Sequence, residues 1–156
     1  MSADSIEVTL PDGTVMEVAA GSTAGDVALA IGPGLAKAAL AAVVDGETVD
    51  LNRPVEANAQ LRILTARDKD ALPVLRHSAA HVLATAVREI DPRAAIGFGP
   101  SIDAGFYYDF GVEEPFTPEK LEAIEARMAE VVKEDYAFER RRVTAEEARE
   151  LLRTIR

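Results

Sequence analysis

The chain has 156 residues, 48% hydrophobic and 28% charged, with a formal net charge of −10 and no cysteine. That is apolar content and length for one medium domain or two small ones, and it excludes a disulfide scaffold. The negative charge excludes a nucleic-acid binder that works by overall basicity, though not one with a local basic strip.

Ile6-Glu7-Val8-Thr9-Leu10 alternates apolar and polar residues, as a half-buried strand does. Pro11-Asp12-Gly13 is a turn signal, and Thr14-Val15-Met16-Glu17-Val18 returns, which predicts a hairpin. Gly21-Ser22-Thr23 breaks the strand, with Ser22 or Thr23 available to cap a helix that buries Val27, Ala28, Ala30 and Ile31. Gly32-Pro33-Gly34 ends it, and Leu35 to Leu40 forms a short helix or turn. Ala42-Val43-Val44 and Glu47-Thr48-Val49 flank Asp45-Gly46, a second hairpin signal, and Leu61-Arg62-Ile63-Leu64 is a last strand. The order β-β-α-β-β-β in about 65 residues suits a small sheet over one helix, the ubiquitin-like β-grasp layout. We therefore expect a first domain over residues 1–66 and a charged linker over 67–71.

Residues 72–90 read as one helix with an apolar stripe of Leu72, Leu75, Ala79, Leu83, Ala86 and Ile90. Pro73 suits its first turn, and Pro92 marks its far end. The two histidines of the chain, His77 and His81, lie four apart and share a face beside that stripe, with Ser78, Thr85, Ala80 and Ala84 nearby. Imidazoles there can move protons or hold hydrogen bonds. On spacing alone they are equally well an ordinary partly buried pair. A metal site is the weakest alternative, because it needs three or four ligands and a carboxylate such as Asp103 or Asp109 would have to complete the set.

Five of the eight aromatic residues lie between Phe98 and Phe110, interleaved with glycines. A glycine-containing hairpin accounts for them, with Phe106 and Phe110 filling the core and Gly99 and Tyr108 the better candidates for a pocket wall. Thr117-Pro118 opens another helix with the stripe Leu121, Ile124, Met128, Val131 and Val132. Phe138 to Val143 reads as a strand with an arginine triplet, suited to phosphate contact or to a charged, aggregation-resistant edge. Thr144-Ala145-Glu146-Glu147 is a capping box for a last helix.

With these residues in view, the chain resembles the N-terminal region of the bacterial threonyl-tRNA synthetase family. Residues 6–66, with Leu10-Pro11-Asp12-Gly13 and the run Asp26 to Ala38, resemble its TGS domain. Leu75-Arg76-His77-Ser78-Ala79-Ala80-His81 and Gly99-Pro100-Ser101-Ile102-Asp103-Ala104-Gly105-Phe106-Tyr107-Tyr108-Asp109-Phe110 resemble two signatures of its editing domain. The family often has cysteine where Ala79 stands.

The resemblance implies an α+β chain: a β-grasp TGS domain, then residues 72–156 as the incomplete first part of an editing domain. It implies tRNA(Thr) and the remainder of a synthetase chain as partners, a cytoplasmic homodimer when full-length, and no membrane. It implies proofreading hydrolysis of seryl-tRNA(Thr), with His77 and His81 as catalytic residues and Gly99 and Tyr108 against the substrate. ATP, magnesium and zinc belong to the full-length family enzyme, and no cofactor or metal is expected in this chain. The family's editing site also uses a cysteine and a later histidine, and its aminoacylation core carries ATP-binding motifs. None of these is encoded here, so the expectation is an N-terminal fragment that is inactive alone. The alternative is a non-catalytic TGS-type module that binds RNA or protein.

Overall fold

The computed structural model describes residues 5–136 and 141–154. Its first half is a five-stranded sheet crossed by one helix. Strand β1 (Ser5–Thr9) pairs antiparallel with β2 (Val15–Ala19), as the Pro11-Asp12-Gly13 turn predicts. The Asp12 carboxylate accepts from the Thr14 amide at 2.9 Å, and Gly13 takes φ 84°, where a side chain would be strained.

Helix α1 (Ala24–Ile31) starts at Thr23, whose hydroxyl accepts from the Asp26 amide while the Asp26 carboxylate accepts from the Thr23 amide. This reciprocal cap satisfies two otherwise orphaned donors. Those donations hold the Asp26 carboxyl below its ordinary pKa, the Thr23 backbone N–H first and its hydroxyl second. A short α2 (Pro33–Ala38) leads to β3 (Ala39–Val44), β4 (Glu47–Val49) and β5 (Ala59–Thr65). Asp45 and Gly46 both have positive φ, 48° and 85°, and close the β3–β4 hairpin.

The strand order is β2-β1-β5-β3-β4, with β1 and β5 parallel in the middle. This is the mixed sheet of a β-grasp fold, and the α+β expectation holds. Ile6 and Val8 of β1, Val27 of α1, Ala42 of β3 and Leu61 of β5 meet in its core. The other face of the sheet is used too: Ala41 and Leu64 pack with Ala71, which ends a 3₁₀ turn over Lys69–Ala71. Within residues 67–71 the chain is thus tied down. Arg62 pairs with Asp70, and Asp68 accepts from the amide and hydroxyl of Thr65.

Helix α3 (Leu72–Ile90) follows as predicted, but its buried face differs from the expected stripe. Ala80, Ala84, Ala86 and Val87 are buried, whereas Leu72, Leu75 and Ile90 are about 40% exposed. Alanines on this face let helix α4 (Pro118–Glu134) and the following hairpin approach the α3 backbone closely, which a row of leucines would prevent. Thr117 caps α4, and Arg127 of α4 pairs with Glu89 of α3.

Between the two helices runs a long hairpin. Its base is β6 (Ala95–Ile96) with β9 (Phe110–Gly111), and its tip is β7 (Ser101–Ile102) with β8 (Gly105–Phe106). Phe110 and Val112 pack against the cluster of Ala86, Val87, Ala94 and Ile124. The strand expected over 138–143 falls partly outside the described residues, and Arg141–Val143 lie in no strand. Helix α5 (Ala145–Thr154) begins at the predicted Thr144–Glu147 capping box.

Candidate functional site

The histidine face of α3 forms one wall of a cavity of about 380 Å3, and the hairpin forms the other. His77 and His81 share this cavity with Gly99 and Tyr108, so all four residues singled out in the sequence meet at one place. Gly97, Phe98, Pro100 and Ser101 complete its lining. Asp103 and Asp109 are not among the lining residues. Among the described residues, no three His, Asp or Glu side chains converge as a metal site.

The imidazoles meet nearly edge to face, with ring centroids 4.6 Å apart and planes at 82°. Their Nε2 atoms are 3.1 Å apart, a hydrogen bond in which one ring donates and the other accepts. Which ring donates depends on their tautomers. Two imidazoles at this distance can exchange a proton. To take a proton from water, an Nε2 must open this bond or admit the water into it. Both rings are exposed, so water reaches them. Ser78, on the same helix, is spent locally: its hydroxyl donates to the Val74 carbonyl one turn back.

Gly99 has a definite steric reason. A Cβ there would lie 2.1 Å from a ring carbon of Tyr108, so the tyrosine ring lies directly on the glycine backbone. The ring is held from behind by stacking on Phe110, at 4.8 Å and 17°, and Phe110 meets Phe116 edge-on at 5.9 Å. Gly97 plays a parallel part: its absent Cβ leaves room for the Asp109 carbonyl, which accepts from the Gly97 amide at 2.9 Å. Thus Phe110 packs against the core as expected and also fixes the wall in front of it, whereas Phe106, expected in the core beside it, is half-buried at the hairpin tip and joins none of the core clusters.

Sequence reasoning passed over Gly97, Pro100 and Ser101. The Gly97-x-Gly99 spacing was the available signal, since two glycines so close together mark a segment where a neighbouring backbone or ring can lie directly on the chain. It also passed over Arg76, whose guanidinium Nη1 donates to the Ile102 carbonyl at 3.0 Å and joins α3 to the hairpin tip.

No helix among the described residues is long and apolar enough to cross a membrane. Residues 6–65 match the family described as the TGS domain. Threonine–tRNA ligase of Pelobacter propionicus is 51% identical over 144 residues, covering 92% of this chain and 23% of its own length. That of Novosphingobium aromaticivorans is 60% identical over 129 residues, 81% of this chain and 19% of its own. That of Methylococcus capsulatus is 53% identical over 148 residues, 95% of this chain and 23% of its own. The chain thus spans about a quarter of the length of these curated relatives or less. Residues 6–65 thus match the TGS domain, and the chain as a whole is similar to a part of threonine–tRNA ligases.

Proposed function

We propose that this chain serves a threonine–tRNA ligase as its tRNA-contacting and proofreading N-terminal part, with residues 1–66 as the TGS domain and 72–156 contributing to an editing site. The observation that carries this is the convergence of His77, His81, Gly99 and Tyr108 on one cavity. A ligase for threonine must reject serine, which lacks one methyl group. A pocket that senses a missing methyl discriminates by only about 10–200-fold, so a second, hydrolytic site is needed.

The chemistry is ester hydrolysis. Water adds to the seryl carbonyl, the bond to the terminal ribose oxygen breaks, and that oxygen leaves with a proton. A histidine pair joined through Nε2 is suited to this sequence: one ring accepts the water proton as the pair opens, and the imidazolium so formed delivers that proton to the departing ribose oxygen, which returns the pair to its neutral state. The Tyr108 ring on Gly99 offers a flat wall against which the acyl-ribose end is held. Aminoacylation itself, with its ATP, magnesium and zinc, is assigned to the remainder of a longer chain, working in the cytoplasm as a homodimer.

The test is a full-length threonine–tRNA ligase that carries this segment. His77→Ala or His81→Ala slows hydrolysis of seryl-tRNA(Thr) by about 10²–10⁴-fold while threonine charging survives. Parental hydrolysis in both variants, with tRNA affinity lowered when the TGS domain is removed, would instead mark the segment as a non-catalytic binding module.

A further inference from the structure

We propose that Arg76 is a positioning residue of the histidine site, acting as a clamp between the histidine helix and the hairpin tip. This inference rests on the editing reading for its consequence, but the clamp itself rests on geometry.

The hairpin carries the cavity wall at its middle, Gly97 to Ser101 on one limb and Tyr108 on the other. Its base is well anchored: β6 pairs with β9, and Ala94, Phe110 and Val112 pack with Ala86, Val87 and Ile124. The tip has no such core. Ile102 is 45% exposed, and β7 and β8 pair over two residues each. Among the described residues, the bond from Arg76 Nη1 to the Ile102 carbonyl is the hydrogen bond that joins α3 to the hairpin. Arg76 has no carboxylate within ion-pairing distance among the described residues, so its guanidinium serves this carbonyl.

Position makes the bond consequential. Arg76 immediately precedes His77, and Ile102 follows Ser101, a lining residue. Donor and acceptor thus flank the cavity at the hairpin tip, where the two-residue strands β7 and β8 lie beside α3 and Arg76 supplies the hydrogen bond between them. With the base fixed by the core and the tip fixed by Arg76, the Gly99–Tyr108 wall stands at a set distance from the imidazoles. Loss of the bond loosens the tip on α3 and widens the cavity, while the base stays packed on the core. A displacement of about 1 Å in such a site commonly lowers rate by up to about a hundredfold.

Two variants separate the donor from the bulk. Arg76→Met keeps a long apolar stem and removes the donor; Arg76→Lys keeps a charged donor. Isotope-edited NMR of the 156-residue chain reads contacts from the His77 and His81 rings to Pro100 and Tyr108, together with exchange of the amides at 101–106. In Arg76→Met these contacts weaken and the amides exchange about ten times faster, while resonances of residues 6–65 stay in place; Arg76→Lys restores both. Unchanged ring contacts and exchange in Arg76→Met overturn the clamp.

In the full-length ligase, Arg76→Met lowers seryl-tRNA hydrolysis by about ten- to a hundredfold with Arg76→Lys close to parent. Parental hydrolysis in Arg76→Met, in an enzyme where His77→Ala is slow, overturns the positioning role and leaves the editing reading intact. If His77→Ala is itself at the parental rate, the editing reading fails, and the NMR contacts alone decide the clamp.

Discussion

The sheet half of the chain and the histidine half bury their residues in different ways. In the sheet half, Val8, Val27, Leu61 and Leu64 are at most 2% exposed, and each is locked between strands, helix or the following turn. In the histidine half the buried positions are mostly small: Ala80, Ala84, Ala86 and Ala94, with Val87, Ile124 and Val131. Large apolar groups there stay near the surface, Phe98 at 66% and Leu121 at 54% exposed. Stability therefore resides in the first half, where large side chains leave water. Geometry resides in the second, where small residues let α3 and α4 pack closely and glycines let the hairpin wall stand beside the histidines.

The sharpest way to break this contrast is Leu61→Ala. It removes a nearly buried leucine from the grasp core and is expected to destabilise that half by about 2–5 kcal/mol. In the parent chain, amides of 6–64 are expected to exchange more slowly than those of 73–136, and in Leu61→Ala the order is expected to narrow or invert. Protection that stays highest in the sheet half after this substitution would show that its stability does not depend on the large-residue core.

Gly99→Ala probes the other half. The added methyl meets the Tyr108 ring at a distance no real Cβ tolerates, and the ring is backed by Phe110. About 1–3 kcal/mol of strain is expected, read as altered Tyr108 and His81 resonances with the sheet half unmoved. A variant that leaves those resonances in place would refute the close packing of glycine and tyrosine.

The smallest effects sit at the α1 cap. Thr23→Ala is expected to lower sheet-half stability by about 1 kcal/mol. The Asp26 carboxyl titrates below its ordinary range because the Thr23 amide and hydroxyl donate to it. A folded-state pKa below the unfolded one stabilises the protein above the unfolded value, about 3.9, and that contribution fades as pH falls through the folded value. Hence the stability gap between parent and Asp26→Asn, measured by urea unfolding, shrinks as the pH is lowered through and below the unfolded value. A gap that grows on acidification has the wrong sign.

Most of the sheet half was legible because its signals are local. Pro11-Asp12-Gly13 and Asp45-Gly46 encode turns with positive φ, and period-two alternation marks Ile6 and Val8 as inward. The histidine half was legible in pieces. Helix bounds and the caps at Thr117 and Thr144 followed from local chemistry. The buried face of α3 did not, since hydrophobicity ranked Leu72 and Leu75 above Ala80 and Ala84, whereas close approach selects size.

What the sequence determined by itself was the set of parts: the β-grasp order of strands, the helix bearing His77 four residues before His81, and an aromatic, glycine-rich hairpin after it. Those follow from turn chemistry and periodicity, which act within a few residues. The tertiary structure alone decided that His77, His81, Gly99 and Tyr108 line one cavity, and that Arg76 reaches a carbonyl 26 residues away. Such contacts depend on how closely α3 and the hairpin approach, a distance set by alanines and glycines whose importance lies in the atoms they lack.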